Sequence, residues 1–243
     1  MIRHHPDINL LLEYSAGSID SAVALSVSAH LHYCESCSEQ VNRFNQLGGI
    51  LLEELEHSSY QPENVNLRAT PSMLRPLDQL FDSVMARVDG IENPATVSEA
   101  QASEIPIAVA SKIRRDLPAN LAKLIVKPRF LKWRRVAPAM QIAHLKTGQN
   151  RCEVSLIKIG AGGRVLEHNH KGNEYTVVLR GAFSDQDGIY SAGDFLHRKP
   201  GDVHTPNATA DADCLCLAVV DAPLKFTGLL GWLINPFVQL QPG

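Results

Sequence analysis

Long apolar runs are missing from this chain of 243 residues. None approaches the roughly 20 residues that a helix needs to span a bilayer, so no membrane-spanning helix is expected. Excess charge of one sign is missing too: 23 Lys and Arg stand against 26 Asp and Glu, a formal net charge of −3. That balance provides no global electrostatic attraction to nucleic acid. The opening residues, MIRHHPDINL, lack the basic-then-apolar pattern of a secretory signal, and the expectation is a cytoplasmic protein. Cysteine is sparse: five residues, an odd number without disulfide-like spacing, which agrees with a reducing compartment. Disorder is not the default reading, because 44% of the residues are hydrophobic and mean hydropathy is near zero. The length suffices for one large domain or two modest ones.

What the chain does have is two clusters of metal-ligand residues that differ in chemistry. The first is His30-x3-Cys34-x2-Cys37, with a His4-His5 pair upstream. The second is His168-x-His170-x3-Glu174, followed by His204 in a Pro200-Gly201-Asp202-Val203-His204-Thr205-Pro206 stretch. Thiolates with imidazoles suit zinc in a closed, four-coordinate site. Imidazoles with one carboxylate suit zinc, iron, manganese or nickel in a more open one. Two modules, each built around an ion, are the simplest organisation.

The front reads as helical. Residues 6–16 open on Pro6-Asp7 and stop at Gly17, with Ile8, Leu11, Leu12 and Ser15 on one face. A second helix is predicted from about Asp20 to Cys34, placing Val23, Val27 and His30 on one side. A third runs from about Cys34 to His57, with Val41, Phe44, Leu47, Leu51 and Leu55 as its buried side. Gly48-Gly49 interrupts it, at a kink or a close helix contact. Ser72 caps a fourth, ending at Gly90, whose Leu74, Leu77, Phe81, Val84 and Val88 form a strong apolar stripe. Cys34 and Cys37 lie three apart at a helix start, where thiolates are favoured, and His30 lies one turn before. The fourth donor comes from elsewhere: His5 is the best candidate, with His4 and His32 competing.

From about Arg135 to Val220 the pattern changes to short strand-like runs: MQIAHLK, CEVSLIKI, GRVLEHNH, EYTVVLRGAF, DFLHRK and CLCLAVVD. Turn residues separate them, as in a sandwich or barrel. His168 and His170, two apart on a strand, face one side. Gly172 allows a turn, Glu174 returns on the next strand, and His204 approaches from a neighbour. Cys152 reads as core, and Cys214 and Cys216 as buried, same-facing thiols. The basic run Lys123, Lys127, Arg129, Lys132, Arg134 and Arg135 reads as a solvated linker face or the first edge of the barrel, not a nucleic-acid site. The apolar tail, residues 224–240, packs back on the barrel or makes a dimer contact.

The turn with His168-x-His170-x3-Glu174, then Gly193 and Pro200-Gly201-x2-His204, resembles the two motifs of the cupin superfamily. The front cluster resembles a zinc-binding anti-sigma domain, and the order of the two resembles the ChrR family of anti-sigma factors over nearly the whole chain. The resemblance implies an α+β two-domain protein. Its parts would be a zinc-pinned helical bundle (residues 1–90) and a jelly-roll-like cupin barrel with a C-terminal tail (133–243); the linker between them (91–132) departs from the family pattern in its length and in its own helix-like segment. It implies zinc on His5, His30, Cys34 and Cys37, and zinc or another divalent transition metal on His168, His170, Glu174 and His204. It implies a group IV (ECF) sigma factor as partner, released under singlet-oxygen or organic-peroxide stress that the barrel senses. Leu74, Leu77, Phe81 and Val84 are then candidate sigma contacts. Neither direct nucleic-acid binding, membrane attachment nor catalysis is expected, and a homodimer through the barrel is a further expectation. The rival reading is a metal-dependent cupin enzyme, a dioxygenase or isomerase, carrying a regulatory zinc module.

Overall fold

In the computed structural model, the described residues are 2–57, 117–118, 121–122, 131–227 and 240. The expected fourth helix with Leu74, Leu77, Phe81 and Val84 lies outside them. So do Lys123, Lys127 and Arg129 of the basic run, and all of the tail after Thr227 except Leu240.

Helix α1, Ile8–Ser15, begins where the Asp7 side chain accepts a hydrogen bond from the Leu10 N–H at 2.9 Å. That bond satisfies one of the otherwise orphaned first-turn donors. It ends at Gly17, whose φ of 67° is the left-handed conformation that closes a helix. Helix α2, Ser21–Leu31, is capped in the same way by Asp20. Cys34 immediately precedes α3, Glu35–His57, and its carbonyl accepts the first helical bond from Ser38.

The buried faces differ in part from the predicted ones. In α1 the buried residues are Leu10 and Leu11, while Ile8 and Leu12 are exposed. In α2 the expected Val23, Val27 and His30 are all buried. In α3 Val41 is buried, but Leu47 and Leu51 are exposed. Gly48-Gly49 does not interrupt α3, which runs through both residues, and no described atom approaches within 4 Å of where their Cβ atoms would be. Neither a kink nor a close contact explains the pair among the described residues.

Twelve strands are described: β1 Arg134–Ala137, β2 Met140–His144, β3 Glu153–Ile159, β4 His168–His170, β5 Glu174–Arg180, β6 Ala182–Ser184, β7 Ile189–Ser191, β8 Phe195–Arg198, β9 Val203–His204, β10 Asn207–Ala208, β11 Cys214–Val220 and β12 Leu224–Phe226. They form a six-stranded sheet, β1-β2-β3-β11-β5-β8, and two three-stranded sheets, β10-β6-β7 and β12-β4-β9. Every pairing is antiparallel. The predicted run EYTVVLRGAF is two strands, divided at Gly181. Its φ of 72° turns the chain from one sheet to another, and a Cβ there would run into the Asp213 carbonyl.

The central strand β11 explains how the core is built. Its sequence CLCLAVV is apolar throughout because both faces are buried. Leu215, Leu217 and Val219 join a cluster with Val154 and Leu156 of β3, Val177 and Leu179 of β5, and Leu11, Val23, Val27 and Ala29 of the helices. Cys214 and Cys216 point the other way, into a second cluster with Val178, Phe183 and Tyr190. The period of two thus separates a helix-covered face from a barrel interior. Small residues on α2, namely Ala22, Ser26 and Ala29, let that helix lie close on β5 and β11. The described residues of Met1–Leu52 and Ile105–Gly243 accordingly belong to one compact unit.

Candidate metal centres

The front cluster assembles from three local devices. The Asp7 cap fixes the start of α1, and with it the short extended segment that carries His4 and His5. The last turn of α2 carries His30, and the first turn of α3 holds Cys37 one step past Cys34. His5 Nδ1 lies 3.3 Å from Cys34 Sγ and 3.4 Å from Cys37 Sγ. The donor atoms of His5, His30, Cys34 and Cys37 all lie within 4.8 Å of one another. The two competing histidines are elsewhere. His4 packs its ring on Tyr190, centroids 4.7 Å apart, and His32 packs on Tyr33 at 5.0 Å.

Hydrogen bonding aims the buried ligand. His30 Nδ1 donates to the Gly193 carbonyl at 2.7 Å. A carbonyl only accepts, so the proton sits on Nδ1 and Nε2 presents a lone pair. That Nε2 is buried and has no hydrogen-bond partner, which is the posture of a ligand held by an outer partner. Burial pushes the Cys37 thiol up to about 12, with the Cys34 thiol beside it adding to the effect. Burial likewise pushes the His30 imidazole down to about 4. The buried Cys37 thiol, with a second sulfur beside it, becomes a thiolate only with a positive charge close by. A zinc ion meets that demand with four N and S donors. The residues fit the ion.

The second cluster lies in the β12-β4-β9 sheet. His168 and His170 sit two apart on β4, both buried and facing the same side, with Asn169 turned away. The register places His204 of β9 directly opposite His168. Their Nε2 atoms face each other at 2.9 Å. His168 Nδ1 donates to the Leu166 carbonyl at 2.9 Å, and His204 Nδ1 donates to Asp185 Oδ2 at 3.1 Å. Both Nε2 atoms therefore carry lone pairs, and their close approach calls for a cation or a shared proton between them. Neither nitrogen of His170 has a hydrogen-bond partner, although the ring is buried, and burial lowers its pKa to about 4. The three histidines bring their donor atoms within 4.8 Å of one another. Glu174 borders this set: its Oε2 lies 3.5 Å from His170 Nδ1, and its Oε1 accepts from the Thr176 hydroxyl at 2.7 Å. Burial alone would raise the Glu174 carboxyl, but the three histidines and Thr176 reverse that and hold it below its ordinary value. A borderline divalent metal fits these donors.

Sequence reasoning missed the outer partners. Asp185 is fully buried at its side chain and holds His204, while it accepts from Arg198 Nη2 at 2.6 Å and from the Tyr190 hydroxyl at 3.1 Å. Arg198 also reaches Asp187 at 2.6 Å. A cavity of about 360 Å³ opens beside this centre, lined by His168, Glu174 and His204 and by apolar residues that include Met140, Ile157, Phe183, Phe226 and Leu240. Cys214 and Cys216 are buried with their sulfurs 3.6 Å apart, and the Cys214 sulfur together with burial pushes the Cys216 thiol up. Cys152 is core, its thiol raised to about 11 by burial and by Asp20. Neither Cys152 nor Cys216 has the character of a reactive thiolate.

The ChrR cupin-like domain family matches residues 121–222. The anti-sigma-E factor ChrR of Cereibacter sphaeroides is 32% identical over 240 residues, which cover 98% of this chain and 99% of that protein. A chain in the crystal structure of Rhodobacter sphaeroides SigE in complex with the anti-sigma ChrR is 29% identical. The match covers 91% of this chain and 100% of that one, with a TM-score of 0.64. Among the described residues no helix is long and apolar enough to cross a membrane.

Proposed function

We propose, from the premise that the chain belongs to the ChrR family of anti-sigma factors, that it sequesters a group IV (ECF) sigma factor in the cytoplasm and releases it under oxidative stress. The observation that carries this reading is the near full-length similarity to a ChrR anti-sigma factor, together with the four converging donors His5, His30, Cys34 and Cys37. The front cluster holds zinc in a structural role: four ligands leave no open position, and the ion fastens the extended N-terminus to the junction of α2 and α3. His168, His170, His204 and Glu174 hold zinc or another divalent transition metal. The protein acts by occlusion and needs no catalytic residue. Leu74, Leu77, Phe81 and Val84 supply part of the sigma contact, and the barrel supplies the sensing element and a dimer contact.

The test is co-expression of the full chain with a candidate group IV sigma factor, followed by gel filtration and metal quantification of the complex. A 1:1 complex that is lost, along with its zinc, in the Cys34→Ala/Cys37→Ala variant supports the reading. A folded, zinc-loaded chain that ignores every group IV sigma factor offered would sink it. The apolar cavity beside the histidines favours one alternative, a metal-dependent enzyme acting on a small apolar substrate. Metal-dependent oxygen uptake by the full chain would select it.

A further inference from the structure

We infer that the barrel turn at residues 191–195 is a built part of the front metal site, with Asp194 and the Gly193 carbonyl as positioning groups for its two histidines. The inference rests on the front cluster being a zinc site. Neither histidine is oriented by the helices alone. His30 is aimed by its hydrogen bond to Gly193, at 2.7 Å, and its ring stands edge-on to Phe195 at 5.8 Å. The residue before His5 is tied to the turn through both of its backbone groups. The His4 N–H donates to Asp194 Oδ1 at 3.0 Å, and the His4 carbonyl accepts from the Phe195 N–H at 3.0 Å. The Arg3 N–H donates to the same Oδ1 at 2.7 Å.

Asp194 has the marks of a clamp. It is 2% exposed, and a buried carboxylate is costly unless hydrogen bonds compensate it. Its other oxygen accepts from the Ser191 N–H at 2.7 Å, so three backbone donors converge on one carboxylate. Gly193 lets the turn press into place. Its φ is 93°, and a Cβ there would meet the Ile2 side chain at 2.7 Å and Tyr33 Cβ at 2.9 Å.

The strand that leads into this turn, β7, reaches the second centre. Tyr190 of β7 packs against His4 and donates to Asp185, which holds His204. A chain of contacts thus joins His204, through Asp185 and Tyr190, to the residue that precedes His5. The barrel does not merely accompany the front site; it supplies the outer partners that fix its imidazoles, as outer partners fix metal ligands generally.

Cobalt(II) is the probe, because the thiolate-to-cobalt charge-transfer band reports the front cluster and not the histidine cluster. The full chain, Asp194→Ala and Asp194→Asn are titrated with cobalt, then with zinc in competition. Asp213→Asn serves as control, since its carboxylate accepts from the Ala161 N–H at 3.1 Å and pairs with Lys158. Removing an outer partner weakens metal binding by about 10–100-fold, and that loss, with altered visible bands, is expected for Asp194→Ala. Asp194→Asn keeps an acceptor for Arg3 and His4, and it should fall between the two. A folded Asp194→Ala chain with the parent's affinity and spectrum overturns the inference. If Asp194→Ala does not fold, Asp194→Asn decides on the same terms: unchanged affinity and bands overturn it, and weakened binding supports it. A parent chain that shows no thiolate–cobalt band removes the front-site reading itself, and this inference with it.

Discussion

Asp185→Ala should weaken metal binding at the histidine cluster without touching a ligand. The carboxylate accepts the His204 Nδ1 proton at 3.1 Å, which leaves Nε2 as the lone-pair atom facing His168. Without that acceptor the ring is free to rotate and to change tautomer, and metal affinity should fall about 10–100-fold, or roughly 1.4–2.7 kcal/mol. A second cost falls on folding. Asp185 is fully buried at its side chain, and Arg198 is 14% exposed. Stranding a buried charge costs about 3–5 kcal/mol. Asp187, half exposed at 51%, still pairs with Arg198, so the lower end of that range applies. Urea unfolding monitored by circular dichroism measures the folding cost, and zinc competition on the folded chain measures the affinity. A double-mutant cycle separates the two effects. In a His204→Ala background Asp185 has no ligand to orient, so its removal should no longer weaken the metal, while the folding cost persists. An equal loss of affinity in both backgrounds would refute the argument that Asp185 acts through His204.

Two further outcomes follow from groups already described. In protein stripped by a chelator, His30 and His170 are neutral in the fold, because burial lowers both to about 4, whereas in the unfolded chain they protonate near 6.5. The unfolded state then binds more protons between those values. Stability is complete above pH about 6.5 and declines as pH falls to about 4, with a slope approaching two protons; urea midpoints that stay flat across this window would contradict it. Gly181→Ala should destabilise by about 1–3 kcal/mol, since a left-handed φ and a clash with the Asp213 carbonyl coincide; a melting temperature equal to the parent's would show that the turn relaxes freely.

Much of this arrangement was legible because it depends on local chemistry. Asp7 and Asp20 precede helices and cap them. His168 and His170 share a face because strands alternate, and Pro200-Gly201-Asp202 turns the chain so that His204 pairs opposite His168. What was not legible depends on distant partners. His4 and His5 are chemically equivalent in sequence. Only the bonds of the His4 backbone to Asp194 and Phe195, and its ring on Tyr190, leave His5 as the residue beside the cysteines. Asp185 lies in Asp185-Gln186-Asp187-Gly188, which reads as an ordinary turn, and nothing local announces that it holds a histidine. The buried side of α1 was misjudged for the same reason. Periodicity identifies an apolar stripe, but Leu10 and Leu11 are chosen by a sheet that arrives over a hundred residues later.

That shared core leads to the last prediction. The expected division at residues 90 and 133 suggests a front module with its own interior, yet α2 buries Val23, Val27 and Ala29 in the cluster that holds Leu217 and Val219 of β11. Val27 is 0% exposed. Truncating it removes two buried methyl groups and leaves a small cavity, a loss of about 2 kcal/mol. If the front helices rested on the barrel only loosely, Val27→Ala would speed amide exchange in α1 and α2 and leave β11 as protected as before. If they share one cooperative unit, exchange in β11 should accelerate by the same free energy, roughly thirtyfold for about 2 kcal/mol, because β11 then opens only when α2 does. Hydrogen exchange read by mass spectrometry on peptides from α2 and from β11 distinguishes the cases. Unchanged protection in β11 would show that the helices detach on their own, and that the barrel keeps its structure when the front site is lost.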